Sequence, residues 1–243
     1  QNLIDTTQTI IQHMRSNNID TTGMQALNER YGGKNIGRNR EMLQLIEPLY
    51  HAYVQNFATN NGIDFPGMIV DAISCVNNGS YRHPYKYVLI DEYQDMSRPR
   101  YELIRALRLQ HDFSLFCVGD DWQSIYRFAG SDIHLILDFD RIWRAWGPTF
   151  MFQITTTRRF RQSLIDASGA FVMRDTNLYV KHLNNPSDKK DYSLKALGGH
   201  TEEERFNVIV EQLRKLPKTA SVLLLGRYRS DINLMIRCDQ EGL

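Results

Sequence analysis

Residues 87–100 read YVLIDEYQDMSRPR: an apolar run, Tyr87 to Ile90, stops at two adjacent carboxylates, Asp91 and Glu92, with Gln94 and Asp95 just beyond. A second acidic pair, Asp120 and Asp121, follows the apolar run LFCV through Gly119 in VGDDWQSIYRFAGSD. Crowded carboxylates resist ionising together unless something positive lies between them, and a hydrated magnesium ion carrying a phosphate is a common solution. Taken alone, an Asp-Glu pair is more often a solvated turn, and Asp95 or Ser97 would serve simply to cap a helix starting near Pro99.

The surrounding pattern says how such residues are positioned. Tyr87 to Ile90 reads as a buried strand and Phe113 to Val118 as a second. Between them Pro99 to Gln110 reads as a helix with Pro in its first turn and Leu103, Ile104 and Leu107 on one face. Strand, helix, strand with short connections predicts a parallel sheet. Ligands of such sheets bind outside the carboxyl ends of the strands, so if the two strands are neighbours both acidic pairs open into one crevice. The alternation continues downstream: strands at Phe150–Ile154, Tyr192–Leu197 and Val222–Leu225, helices at Arg161–Met173 and Glu202–Leu216. Thr201 and Glu204 have capping-box spacing. Residues 1 to about 84 read as helical, with amphipathic stretches at 39–58 and 66–76 broken by Gly, Asn and Lys in YGGKNIGRN.

Composition narrows the class. At 243 residues and 42% hydrophobic content, the chain can bury one large core or two modest ones. Cys75, Cys117 and Cys238 lie far apart in no metal-like spacing, which fits a reducing compartment. No basic leader and no span-length apolar window occurs, so a cytoplasmic protein with no membrane partner is expected. A formal charge of +1 argues neither for nor against nucleic acid, so any such case must be local.

Three segments occur in order: VLIDEYQD, VGDDWQSIYRFAGSD and TTTRRF. Together they resemble motifs II, III and IV of superfamily 1 helicases of the UvrD and Rep type, with a pattern most similar to the DNA helicase IV group. The resemblance runs from IDFPGMIVDAI to VLLLGRYRSD. It implies an α/β fold: RecA-like parallel-sheet motor domains, the first (1A) in part over 85–148 and the second (2A) in part over 149–243, preceded by a helical 1B-like segment over 1–84. It also implies an ATP-dependent 3′ to 5′ DNA helicase or translocase of DNA repair or recombination, using ATP and Mg2+ and acting on single-stranded DNA and duplex junctions.

Carried onto this chain, the resemblance gives Asp91 the magnesium ion and makes Glu92 the base that activates the attacking water, in keeping with a reaction that needs charge neutralisation and an aligned nucleophile. Gln94 and Asp95 join the nucleotide-dependent network. Gln123 becomes the γ-phosphate sensor, a role for which an amide that both donates and accepts is suited. Arg159 reaches the γ-phosphate, and Arg158 stands where most of the family has an adenine-stacking tyrosine; a guanidinium also stacks by its planar face. Phe128 stacks on a DNA base, with Tyr126 beside it and Arg127 available for a phosphate. The bland alternatives are core packing for the aromatics, a solvated basic turn for Arg158, Arg159 and Arg161, and a surface position for Gln123.

No G-x-x-x-x-G-K-[ST] loop occurs; YGGKN lacks its spacing and its hydroxyl residue. Without that loop there is no backbone cradle for the β- and γ-phosphates, so the chain reads as the middle of a larger protein, inactive by itself. Two rival readings are a helicase-nuclease or phage-defence motor, and a degenerate motor fold serving as a DNA- or polymerase-binding module. Intact DEYQD and GDDWQ weigh against decay, since a binding module has no use for a water-activating glutamate.

Overall fold

The computed structural model describes residues 3–187 and 194–226. Four helices come first: α1 (Leu3–Ser16), α2 (Thr21–Tyr31), α3 (Ile36–Thr59) and α4 (Phe65–Asn77). Asp20 and Asp64 cap α2 and α4 by accepting the N–H of Gly23 and Gly67, each cap contributing about 1 kcal/mol. The helical character expected for this segment is observed. YGGKN forms no phosphate loop: Gly33–Asn35 is a single 3-10 turn leading into α3. Helix α3 runs through Pro48, a residue that removes one backbone hydrogen bond from a helix interior. Its apolar face offsets that loss, because Ile46 and Tyr50 are buried with Ile11 and Met14 of α1. Arg15 also reaches α4, with Nε on Asp64 Oδ2 at 2.9 Å and Nη2 on Oδ1 at 2.7 Å.

Next come β1 (Tyr87–Ile90), α5 (Arg98–Gln110) and β2 (Ser114–Cys117). The strands pair in parallel, with Val88 opposite Leu115 and Ile90 opposite Cys117, as the strand-helix-strand pattern predicts. They are not buried on both sides, however. Val88, Ile90, Leu115 and Cys117 are partly covered while Tyr87, Leu89 and Phe116 are exposed, because helices cover one face of this two-stranded sheet among the described residues. On the covered face, Ile90, Leu115 and Cys117 pack against a core of Tyr93, Met96, Tyr101, Leu135 and Trp143, supplied by the turn after β1, by α5 and by two short helices, α6 (His134–Leu137) and α7 (Phe139–Trp143). Burial pushes the Cys117 thiol up to about 12, so it is inert rather than nucleophilic.

Further on are α8 (Gln162–Val172) and α9 (Glu202–Arg214). The capping box of α9 forms as its spacing predicts: Glu204 N–H donates to Thr201 Oγ1 at 3.1 Å and the Glu204 carboxylate accepts from Thr201 N–H. The expected strands do not form. Residues 150–154 and 222–225 are irregular and largely exposed, and so are 194–197; Tyr192 and Ser193 lie outside the described residues. Apolar runs of this length become strands only when a neighbour takes their backbone groups, and among the described residues only isolated bridges occur outside β1 and β2, such as Thr156 with Asn184.

The chain divides into two compact units. The first comprises Gln1–Thr155 with Gly169–His182, the second Thr156–Ser168 with Leu183–Leu243. Among the described residues no helix is long and apolar enough to cross a membrane.

Candidate functional site

The carboxyl ends of β1 and β2 lie side by side. Val118 N–H donates to Ile90 O and Tyr93 N–H donates to Val118 O, both at 2.8 Å. Asp91 and Glu92 therefore emerge beside Gly119, Asp120 and Asp121, as expected for neighbouring strands. The turn that follows β1 is strained. Glu92 has φ 49° and ψ 45°, the left-handed region that costs a residue with a Cβ about 1–2 kcal/mol. Burial of the next side chain, Tyr93, holds this turn in place, with its hydroxyl accepting Trp143 Nε1–H at 3.0 Å.

Gln94 is 2% exposed, and both ends of its amide are occupied. Nε2 donates to Glu92 Oε2 at 2.7 Å, and Oε1 accepts Asp120 N–H at 2.9 Å. This amide joins the two strand ends. The approach is so close that a Cβ on Gly119 would lie 2.9 Å from Gln94 Oε1 and 3.1 Å from Gln94 N, so any larger residue there would have to displace the Gln94 amide that joins the two ends.

After Gly119 a 3-10 turn, Asp121–Gln123, is capped by Asp120, whose Oδ1 accepts Trp122 N–H at 3.1 Å. Asp120 Oδ2 accepts Gln123 Nε2–H at 2.6 Å. Asp121 is buried, and Tyr179 N–H donates to its Oδ2 at 2.7 Å. The cation facing this pair belongs to the chain itself: Lys181 Nζ lies 2.5 Å from Asp120 Oδ1 and pairs with Asp121. This lysine supplies the positive charge that crowded carboxylates require. Burial opposes ionisation of Asp120, but hydrogen bonds from Lys181 and Gln123, the lysine charge and the Trp122 N–H outweigh it and hold its pKa below the usual carboxylate value.

Asp91 and Glu92 remain exposed, and Glu92 N–H donates to Asp91 Oδ1 at 2.9 Å. Among the described residues no three His, Cys, Asp or Glu side chains gather closely enough to form a metal cage. Magnesium needs only one or two carboxylates when phosphates and waters complete its octahedron, so the donor set at Asp91 suits that ion bound together with a nucleotide.

Beyond Gln123 the chain forms a second 3-10 turn, Arg127–Ala129, closed by Gly130 at φ +94°. Tyr126 and Phe128 are exposed and stand together, ring centroids 5.9 Å apart at 47°; they are not core residues. Arg127 is exposed beside them. Tyr126 borders a cleft of about 410 Å³ together with Phe65, Asp95, Arg100 and Ser131. Asp95 Oδ1 and Ser131 Oγ are buried without a hydrogen-bond partner among the described residues. Arg158 and Arg159 belong to the second unit, exposed in the turn before α8, where Arg159 N–H donates to Thr157 Oγ1 at 3.3 Å.

Sequence spacing did not reveal Lys181 or Tyr179. Both come from a segment distant in sequence, and the only local hint was an acidic pair in need of a cation.

Comparison with known proteins fits this geometry. Residues 2–143 match the UvrD/REP helicase N-terminal domain. DNA helicase IV of Escherichia coli (strain K12) is 32% identical over 190 residues, covering 76% of this chain and 26% of that protein. The ATP-dependent DNA helicase PcrA of Staphylococcus epidermidis is 26% identical over 208 residues, 82% of this chain and 26% of the relative. PcrA of Staphylococcus aureus is 25% identical over 206 residues, with the same coverage. The chain thus spans about a quarter of the length of these relatives. With more than half of its residues matched by the domain that carries this site, the chain belongs to the UvrD/REP helicase family.

Proposed function

We propose that the chain is part of the motor of an ATP-dependent DNA helicase that moves 3′ to 5′ on single-stranded DNA, in the cytoplasm, in DNA repair or recombination. The observation that supports this best is the continuous link from Glu92 through Gln94 and Asp120 to Gln123. A base for water activation and a phosphate-sensing amide are joined there by short hydrogen bonds, so movement of one is felt by the other.

In this reading residues 85–148 belong to the RecA-like domain 1A, 149–243 to the opening of domain 2A, and 1–84 to a 1B-like segment. Asp91 would hold magnesium with the nucleotide phosphates. Magnesium, when bound, supplies neutralising charge to the phosphates. Glu92 takes the proton of the attacking water: Gln94 fixes one carboxylate oxygen, and the residue is exposed. The strained backbone of Glu92 fits such a role, since strain of this kind gathers at functional sites. Gln123 contacts the γ-phosphate and Arg159 adds positive charge to it, while Arg158 stacks on the base. The Tyr126 and Phe128 rings stack on single-stranded DNA, each stacked base contributing about 1–3 kcal/mol, and Arg127 pairs with a phosphate.

The full-length protein carrying this chain should hydrolyse ATP with magnesium and single-stranded DNA, and Glu92→Gln should lower turnover at least about a thousandfold while sparing nucleotide binding. Loss of nucleotide binding in that variant would assign Glu92 a structural role. The chain by itself, with no phosphate-cradling loop, should not turn over; magnesium-dependent hydrolysis by it that Glu92→Gln abolishes would refute this.

A further inference from the structure

Lys181 lies outside the motifs, yet both motif III acids depend on it. Its side chain is 17% exposed and that of Asp121 only 1%. Its ammonium is also 5.2 Å from the Trp122 ring centroid, within cation–π range. Trp122 Nε1–H donates to Tyr179 O at 2.9 Å, and Tyr179 N–H returns a bond to Asp121. The stretch Tyr179–Lys181 is thus strapped across the 3-10 turn Asp121–Gln123. The strap has a second anchor: the Tyr179 hydroxyl donates to the carbonyls of Ile136 and Leu137 at 3.2 and 3.0 Å. The segment therefore stays placed without the lysine charge, and that charge is left a more specific task.

Adjacent carboxylates, one of them buried, repel unless a cation offsets both. With Lys181 against it, Asp120 stays ionised with its second oxygen on the Gln123 amide, while its backbone N–H rests on Gln94. Without Lys181, Asp121 is a buried carboxylate with no cation beside it, and the Asp120 carboxylate is held only by Trp122 N–H and the Gln123 amide, against the repulsion of its neighbour.

We propose that Lys181 is a positioning residue for motif III: by neutralising Asp120 and Asp121 together it holds the Asp120 carboxylate where it orients the Gln123 amide. The proposal rests on the reading of Gln123 as the group that contacts the γ-phosphate. Lys181 touches no substrate in this account and acts only through Asp120.

The test uses the full-length protein with magnesium, ATP and a single-stranded oligonucleotide. Lys181→Met keeps the apolar stem against Trp122 and removes the charge. It should lower DNA-stimulated kcat about tenfold or more with KM for ATP moving less than about threefold, and Lys181→Arg, which keeps the charge, should recover at least about half of the activity. In a Gln123→Ala background the same Lys181→Met change should cost less than about twofold, because the two act as one unit. An equal factor in both backgrounds overturns the proposal. Amide hydrogen exchange gives a readout that does not depend on turnover: Lys181→Met should speed exchange about tenfold in residues 120–124 and leave residues 87–90 unchanged. Unchanged exchange at 120–124 refutes the clamp, and faster exchange throughout 87–110 shows that Lys181 serves the fold instead. Should Gln123→Ala leave DNA-stimulated turnover intact, the phosphate reading of Gln123 fails, and the exchange data still decide whether Lys181 holds the turn.

Discussion

Two ion-pair nodes in the first unit use similar chemistry to different ends. In the helical segment, Asp64 receives Arg15 through two hydrogen bonds, the Gly67 N–H and, at 3.3 Å, the Tyr53 hydroxyl. Both of its carboxylate oxygens are engaged, and its side chain is only 9% exposed. The bond from Arg15 leads in holding the Asp64 pKa below its ordinary value, against the opposing effect of burial. At the strand ends, Lys181 serves two acids, Gln94 joins Asp120 to Glu92, and Asp91 and Glu92 remain open to solvent. The closed node fastens helices, whereas the open one leaves two carboxylates exposed beside neighbours that are held by hydrogen bonds. Structural ion-pair networks and functional sites can share such chemistry, and what distinguishes the second node is the pair of exposed acids on a strained turn.

The largest effect expected on folding is at the closed node. Asp64→Ala removes both the counterion of a largely buried Arg15 and the cap of α4, and should cost about 3–5 kcal/mol in urea unfolding; a loss below about 1 kcal/mol would mean that the helices do not depend on this pin. Gln94→Leu attacks the open node by leaving the Asp120 N–H without its acceptor. It should cost about 1–3 kcal/mol and, in the full-length protein, lower turnover more than nucleotide affinity. Acid unfolding separates the nodes further. Both carboxylates have folded pKa values depressed below the unfolded value of about 3.9, so their stabilisation is complete above that pH and is lost as pH falls through the lower folded values. Asp64→Asn should flatten this acid limb more than Asp120→Asn, because the Asp64 side chain is 9% exposed and that of Asp120 38%, where solvent screens the interaction. The smallest effect belongs to neither node: Arg105→Ala breaks an exposed pair with Glu102 on α5 and should change stability by no more than about 0.5 kcal/mol.

Some of this architecture is legible in short windows of sequence. Apolar runs flanked by turn residues marked β1 at Tyr87–Ile90 and its parallel partner, and Pro99 marked the first turn of α5, with Ser97 at the cap position although its side chain makes no capping bond. Thr201 and Glu204 announced α9. The helix signals are read locally because their deciding interactions span four residues or fewer, whereas the two strands were legible as apolar runs although their pairing joins residues 27 apart. The same reading overreached at Phe150–Ile154 and Val222–Leu225, since an apolar run does not say which strand will take its backbone groups. It also could not show that β1 and β2 bury only alternate side chains, which depends on where α5, α6 and α7 pack.

For the candidate site the division is similar. The sequence by itself determined the residue types, their order and their place at the ends of two apolar runs, and these sufficed to indicate a family resemblance. Only the tertiary structure decided that the Gln94 side chain is buried between the two acidic segments, that Gly119 packs closely against it, and that Lys181, 61 residues beyond Asp120, is the cation both motif III acids share. Spacing along the chain fixes which groups share a turn, whereas neutralising a buried charge depends on distance in space, and that is set by the packing of segments far apart in sequence.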